Sequence, residues 1–354
     1  MSKPINAAIN GFGRIGRLML LNLHRNGLGG SVYVNDPGMK KPKDGSKTRA
    51  EVAAHFLKYD TTHGTASESI TVDSDEITIS GGDTAIQDTV VQMSYEFEPE
   101  KAWKGKDVGY VYECSGQFLD RDKAQQHLDA GAKRVILSGP SPSADFKAVF
   151  GVNHDKFDPN EHLVVSNTSC TTNCLAPGVK VLRDFDFQGG GMATVHAYTA
   201  DQNLQDAPHK DLRRARAAAE NMIPTSTGGA KMIGEIFPDL KGKIDGMALR
   251  VPTVDVSGVF LTCLLGKKPS VDDLKKAFTD ASKSEQLGRA LGVNKEPLVS
   301  RDFIGARYGS VVDLSFIQQM GSTGMYNLFF WYDNEYSFVN QYRRLARHMM
   351  TKEK

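Results

Sequence analysis

Ile5-Asn6-Ala7-Ala8-Ile9-Asn10-Gly11-Phe12-Gly13-Arg14-Ile15-Gly16-Arg17 is the stretch that decides the fold. The run Ile5 to Asn10 has the length and apolar content of a strand. It meets three glycines spaced as GxGxxG. A helical pattern follows from Arg14 to Asn26, with Ile15, Leu18, Met19 and Leu23 at helical spacing and Gly27 as a stop. Between a strand and a helix, the glycines have separate duties. Gly11 permits the tight turn, Gly13 lets the backbone approach a pyrophosphate, and Gly16 lets the helix pack closely on the sheet. The helix N-terminus then offers free N–H groups and a partial positive charge to phosphates. Asp36 follows a second strand, Ser31 to Asn35, at the position where a carboxylate accepts from the adenosine ribose and repels a 2′-phosphate. A ligand-free βαβ turn with a surface aspartate is the plainer alternative. Strand, glycines, helix and Asp36 together favour a dinucleotide, and NAD over NADP.

Working outward, Val108 to Cys114 and Arg134 to Ser138 read as further strands, with a helix from Asp120 to Ala130 between them. This alternation predicts a Rossmann-type α/β domain, a parallel sheet with helices on both faces. Later the rhythm changes. Met192–Tyr198, Met247–Val251, Ser257–Leu265, Val311–Phe316 and Met325–Trp331 are strand candidates with few helices between them. One helix runs from Ser270 to Ser282, with Ser270 and Asp273 spaced as a capping box. Another pattern covers Gln341 to Met350. A second, α+β domain with a mostly antiparallel sheet is expected. The 354 residues suit roughly two domains. We place the dinucleotide domain at 1–169 and the second domain at 170–333, with a C-terminal helix from 334 to 354.

Composition narrows the function. The chain is 40% hydrophobic and 24% charged, with a formal charge of +1, so no global field favours nucleic acid or an anionic membrane. Four cysteines are too few for a disulfide scaffold, and no spacing suggests a structural metal, so none is expected. The N-terminus lacks the apolar core of a secretory signal, and no apolar run reaches membrane-spanning length. A cytoplasmic protein is the default expectation.

The chemistry centres on Ser169-Cys170-Thr171-Thr172-Asn173-Cys174, between the apolar run Leu163 to Val165 and a helical pattern through Leu175, Val179 and Leu182. A cysteine at a helix N-terminus has its thiolate stabilised. His196, in the strand pattern Thr194 to Tyr198, is the candidate base. Alone, such residues are more often a buried apolar thiol and a structural histidine. A hydride acceptor in the same chain gives them a common purpose. The thiol adds to an aldehyde, the adduct releases hydride, and a thioester awaits a second nucleophile. The loop Pro224-Thr225-Ser226-Thr227-Gly228-Gly229 suits phosphate oxygens. Arg250, in an apolar strand, needs an anionic partner. Arg213-Arg214-Ala215-Arg216 reads instead as a solvated loop or a subunit contact.

INGFGRIGR, ECSG, SNTSCTTNCLAP, TVHAYTADQ, PHKDLRRARAAAENMIPTSTGGAK, LRVPT and WYDNEYS together resemble segments of the phosphorylating glyceraldehyde-3-phosphate dehydrogenases, from residue 5 to about 348. The resemblance implies a glycolytic NAD-dependent enzyme that forms 1,3-bisphosphoglycerate from glyceraldehyde 3-phosphate and inorganic phosphate. It implies Cys170 as nucleophile and His196 as base. Arg14, Ile15, Asp36, Ser138 and Asn334 would hold NAD. Thr199 and Arg250 would bind the substrate phosphate; Ser169, Thr171, Thr227 and Gly228 would bind the attacking phosphate. It also implies a homotetramer in which residues 200–221 line a neighbouring subunit's cofactor site, and a C-terminal helix that returns to the first domain. Ala207-Pro208 stands where the family usually has Leu-Pro. Ser138-Gly139-Pro140-Ser141 replaces the usual Ser-Ala-Pro-Ser. Three rivals remain. In an erythrose-4-phosphate dehydrogenase, water releases the thioester; the phosphate-binding threonines argue against it. A nucleic-acid-binding protein without catalysis fits poorly with neutral charge and a complete Cys170–His196 set. A cofactor-free thiol hydrolase leaves GxGxxG and Asp36 without a purpose.

Overall fold

The computed structural model describes residues 6–27, 31–82 and 87–353. Ile5, expected to open the first strand, and Lys354 lie outside the described residues. The chain forms two compact units. One comprises residues up to 147 with 157–167 and 342–354; the other comprises 148–156 and 168–341.

The first unit opens with β1 (Ala7–Asn10), α1 (Arg14–Arg25) and β2 (Ser31–Asn35). It continues with α2 (Arg49–Lys58), a small ribbon of β3 (Tyr59–Asp60) and β4 (Gly64–Thr65), and the strands β5 (Ser69–Asp73), β6 (Glu76–Ser80) and β7 (Thr89–Ser94). Then follow α3 (Pro99–Trp103), β8 (Tyr110–Glu113), α4 (Arg121–Asp129), β9 (Arg134–Leu137), β10 (Phe146–Lys147) and β11 (Val164–Ser166). The sheet order is β10-β11-β9-β8-β1-β2-β7-β6-β5. From β10 to β7 every pairing is parallel; only β5/β6 and β6/β7 are antiparallel. This is the expected α/β domain. Its central strands are buried on both faces, which explains their continuous apolar character. Strand order turns back at β1, which lies between β2 and β8. The crevice at the carboxyl ends there is the ligand position of such sheets.

The antiparallel edge β5–β7 was not expected from the sequence. Its signal was present: Ser69–Asp73 and Glu76–Ser80 alternate polar and apolar residues strictly, with Ile77 and Ile79 turned inward and the other face left to solvent. Helix α2 was also missed, although Thr48 and Glu51 form a complete capping box in its first turn.

The second unit is built from α5 (Cys170–Arg183), β12 (Phe187–Ala197), β13 (Ile223–Ser226), α6 (Gly229–Ile236), β14 (Ile244–Val251), β15 (Ser257–Leu265), α7 (Val271–Ala281), β16 (Leu291–Asn294), β17 (Ser310–Asp313), β18 (Gln318–Gln319) and β19 (Met325–Tyr332). The main order is β13-β14-β12-β15-β19-β17-β16. Only β12/β14 and β16/β17 are parallel, so the sheet is mostly antiparallel, as the second half of the sequence suggests. Leu175, Val179 and Leu182 of α5, Ile233 and Ile236 of α6, and Leu274 and Phe278 of α7 share one core with Val259, Leu261, Leu328 and Phe330 of the sheet. The strand expected over Val311–Phe316 ends at Asp313. There the Asp313 carboxylate accepts from the Ser315 N–H and hydroxyl, and the chain turns into a 3₁₀ segment. The last helix, α8 (Tyr336–Lys352), begins five residues earlier than its apolar spacing suggests. Among the described residues no helix is long and apolar enough to cross a membrane.

Candidate active site

The first unit carries the phosphate loop. Gly11 has φ +90°, and a Cβ there would lie 2.5 Å from Ser115 Cα; a Cβ on Gly16 would lie 2.0 Å from the Gly11 carbonyl oxygen. Only glycine fits either position, because the strand-to-helix turn packs backbone on backbone. Around Gly13 there is open space. Gly13 is the N-cap of α1 without a side-chain cap, so the first helical N–H groups, those of Arg14, Ile15 and Gly16, are left for an anion. Asp36 Oδ2 accepts from the Phe12 N–H at 2.7 Å, and Oδ1 accepts from the Gly38 N–H at 2.8 Å. The carboxylate thus fastens the loop while keeping lone pairs for hydroxyl donors. The cradle and the acid fit NAD. The Arg14 guanidinium is committed elsewhere, to a two-pronged bond with Asp60 at 2.9 and 3.1 Å. Burial raises the Asp60 carboxyl, but Arg14 and the backbone N–H of His63 outweigh it and hold it down to about 2. Arg14 therefore offers a phosphate its main-chain N–H. Ser138 follows β9, where its N–H donates to the Glu113 carbonyl at 3.0 Å.

The second unit gathers the reactive groups at one end of its sheet. Cys170 is the first residue of α5. Ser169 is its N-cap, with Oγ accepting from the Thr172 N–H at 3.0 Å. His196 lies near the end of β12, and its Nε2 stands 3.6 Å from Cys170 Sγ. The other ring nitrogen, Nδ1, is 2.6 Å from the Ala197 carbonyl oxygen. A carbonyl only accepts, so Nδ1 carries the proton and the Nε2 lone pair faces the thiol. Burial pushes the Cys170 thiol up to about 11, against the Thr171 N–H and hydroxyl, which favour the thiolate. Burial also lowers His196 to about 4, against its bond to Ala197, with Arg250 and Arg214 adding to the shift. Each group alone is therefore uncharged. The pair is built to pass one proton from sulfur to nitrogen, leaving its net charge unchanged.

Arg250 is the register partner of His196 on β14. Its Nη1 donates to Thr199 Oγ1 at 2.7 Å and to Gln202 Oε1 at 3.0 Å. Two buried N–H groups of this cluster, Arg250 Nε and Gln202 Nε2, have no partner among the described residues. Burial and then the nearby Arg214 lower the Arg250 pKa. Two guanidinium groups held this close, with unmet donors, call for an anion. Thr227 and Gly228 lie just before α6, and a Cβ on the adjacent Gly229 would be 2.8 Å from Thr171 Cγ2. The loop 227–229 thus lies beside the helix that begins at Cys170. Asn334 Oδ1 accepts from Ser257 Oγ at 2.8 Å, and Ser257 Oγ accepts from the Ala197 N–H at 3.0 Å. The structure therefore brings Ser169, Cys170, Thr171, His196, Thr199, Thr227, Gly228, Arg250 and Asn334 into one unit; Gly11, Gly13, Arg14, Ile15, Gly16, Asp36 and Ser138 lie in the other.

Sequence reasoning missed three members of this site. Arg214, read as part of a solvated run, is largely buried; it donates to Thr225 Oγ1 at 2.9 Å and pairs with Asp201. Gln202 and Tyr332 give no local signal. Tyr332 Oη lies 3.1 Å from Thr171 Oγ1 and 2.7 Å from Thr194 Oγ1, a contact made across the sheet.

Comparison with known proteins agrees with this geometry. Residues 5–121 match the NAD binding domain of glyceraldehyde 3-phosphate dehydrogenase, and residues 169–334 match that family's C-terminal domain. A glyceraldehyde-3-phosphate dehydrogenase of Priestia megaterium is 43% identical over 98% of this chain and 99% of its own. That of Geobacillus stearothermophilus is 42% identical over the same shares. Glyceraldehyde-3-phosphate dehydrogenase 1 of Saccharomyces cerevisiae is 43% identical over 94% of this chain and 96% of its own. With a phosphate loop, a paired thiol and imidazole, and an arginine cluster in the matched segments, this chain belongs to the glyceraldehyde-3-phosphate dehydrogenase family.

Proposed function

We propose that the protein is the NAD-dependent phosphorylating dehydrogenase of glyceraldehyde 3-phosphate in glycolysis. The observation that carries this is the 3.6 Å approach of Cys170 Sγ to a His196 Nε2 whose tautomer is set by Ala197. Cys170 attacks the aldehyde carbon, a C–S bond forms, and the thiol proton passes to His196 Nε2 and on to the new oxyanion. NAD, bound by the first unit, supplies the acceptor for the hydride that leaves this thiohemiacetal. His196 takes the hydroxyl proton back as the carbonyl reforms, leaving a thioester on Cys170. A phosphate oxygen then attacks the thioester carbon, the C–S bond breaks, and 1,3-bisphosphoglycerate leaves. His196 returns its proton to sulfur.

Arg250 and Thr199 hold the substrate phosphate; unmet donors beside Thr199 support this. Ser169, Thr171, Thr227 and Gly228 receive the attacking phosphate. The main-chain N–H groups after Gly13, Asp36, Ser138 and the Asn334 amide hold NAD. The residues before 170, with the C-terminal helix, form the NAD domain, and 170–333 the catalytic domain, save that 148–156, 168–169 and 334–341 pack with the second unit. A reduced reactive thiol beside three further free cysteines suits the cytoplasm.

The protein is a homotetramer in this reading, and association between copies, though not their number, is supported by the outer face of the second sheet. Met247, Ala193, Phe260 and Phe329 are register neighbours across β14, β12, β15 and β19, and Met247 is 58% and Phe260 41% exposed. An apolar row on a sheet face needs cover, and a second copy provides it.

The deciding experiment follows NADH absorbance with purified protein, NAD and glyceraldehyde 3-phosphate, with inorganic phosphate added last. The expected result is a steady rate that begins on adding phosphate and is absent in Cys170→Ser. A rate indifferent to phosphate would exclude phosphorolysis and favour thioester hydrolysis, as in the erythrose-4-phosphate enzymes.

A further inference from the structure

The first unit contains a buried carboxylate that this mechanism does not use. Glu113, the last residue of β8, is 0% exposed. Its Oε2 accepts from Asn10 Nδ2 at 2.7 Å and from His127 Nε2 at 3.1 Å. Its Oε1 accepts from the Ser115 N–H at 2.7 Å and the Ser115 hydroxyl at 2.5 Å. The direction of the His127 bond follows from its other side. The Trp103 indole N–H, which only donates, reaches His127 Nδ1 at 2.9 Å, so the ring proton sits on Nε2 and points at Glu113. Four donors thus fill the lone-pair directions of one carboxylate. Such full satisfaction is what a buried acid requires, and it ties down every group that donates.

Two of those groups, Asn10 and Ser115, adjoin the phosphate loop at the switch point of the sheet. Asn10 ends β1 and precedes Gly11. Asn10 Oδ1 accepts from Nδ2 of Asn35, which ends β2 and precedes Asp36, at 2.9 Å. Asn35 in turn holds the exit of β7, accepting from the Glu96 N–H at 2.8 Å and donating to the Glu96 carbonyl at 2.9 Å. Ser115 is the surface against which Gly11 packs. Glu113 therefore stands at the head of a polar ladder across four adjacent strand ends. The ladder includes the residues immediately before the phosphate loop and before Asp36.

Resting on the assignment of NAD to the first unit, we infer that Glu113 is a positioning residue for the dinucleotide: it sets the phosphate loop and Asp36 through Ser115, Asn10 and Asn35. A carboxylate is needed because every neighbour donates. In Glu113→Gln one acceptor becomes an NH₂ group that faces the Ser115 N–H in one orientation and the Asn10 amide and His127 N–H in the other. The loop must then shift, and sites of this kind tolerate little displacement.

The test measures NAD binding by calorimetry and, without NAD, the rate at which iodoacetamide alkylates Cys170. Glu113→Gln is expected to weaken NAD binding about tenfold or more, leaving alkylation unchanged. Adding Asn10→Asp, which restores an acceptor opposite the new amide, recovers part of the loss. Ser115→Ala, at the half-exposed turn, weakens binding by about threefold and serves if the buried variant does not fold. Wild-type affinity in Glu113→Gln or in Ser115→Ala would overturn the inference. So would, in Ser115→Ala, a loss of affinity matched by an equal change in alkylation, since the effect would then not be confined to the dinucleotide site. A wild-type protein that does not bind NAD would instead overturn the cofactor assignment.

Discussion

At the scale of single residues, the chemistry depends on one lone pair. The bond from His196 Nδ1 to Ala197 leaves Nε2 as the only ring atom able to take the thiol proton. Above about 4, where His196 is neutral, that acceptor is available. His196→Asn removes it and leaves Cys170 to its own ionisation, which burial pushes to about 11. Its alkylation at neutral pH should slow on the order of a hundredfold and recover only in alkali. A variant that alkylates at the wild-type rate at neutral pH would show that another group takes the proton. Arg250→Lys keeps a charge but loses the Nη1 that donates to both Thr199 and Gln202 and the Nε–H beside it. We expect KM for glyceraldehyde 3-phosphate to rise about tenfold, with a smaller change in kcat. An unaltered KM would place the substrate phosphate elsewhere.

At the scale of elements, helix ends and close packing supply the testable terms. The capping box of α7, in which Ser270 Oγ accepts from the Asp273 N–H and the Asp273 carboxylate accepts from the Ser270 N–H, is remote from the active site in sequence and role. Ser270→Ala should cost about 1 kcal/mol of stability in a denaturant titration and leave turnover as it was. Helix α5 has the opposite sensitivity. A Cβ on Gly178 would lie 2.7 Å from Phe330 Cε1, in the core of the second unit. Gly178→Ala gains helix propensity but must displace a buried ring, and we expect a net loss of about 1–3 kcal/mol. A stabilised variant would show that Phe330 has room to move. These terms differ in legibility. The Ser270 box is written in local spacing, whereas nothing near Gly178 in the chain announces a phenyl ring 152 positions later.

At the scale of the whole molecule, the row Met247–Ala193–Phe260–Phe329 is an apolar sheet face that one chain leaves partly uncovered. Met247→Lys with Phe260→Lys places charge in the centre of that row. Sedimentation is expected to show a tetramer for the wild type and smaller species for the variant, with the Cys170 thiol still alkylated in the dissociated form. A variant that sediments like the wild type would move the interface to another face.

The sequence by itself determined the α/β opening domain, the dinucleotide loop with Asp36, the mostly antiparallel second sheet, the thiol at a helix start and the family resemblance. All of these are local or periodic signals: glycine spacing, strand alternation, a cap before a helix. Only the tertiary structure decided which groups meet. Cys170 and His196 are 26 positions apart, and Thr171 and Tyr332 are 161 apart. Strand register brings His196 beside Arg250, and a backbone carbonyl selects the histidine tautomer. It also decided that Arg214 is held between Asp201 and Thr225 and that Glu113 collects four donors. The physical reason is that hydrogen-bond direction and burial depend on neighbours brought in by sheet order, and sheet order joins segments whose separation along the chain carries no periodic trace.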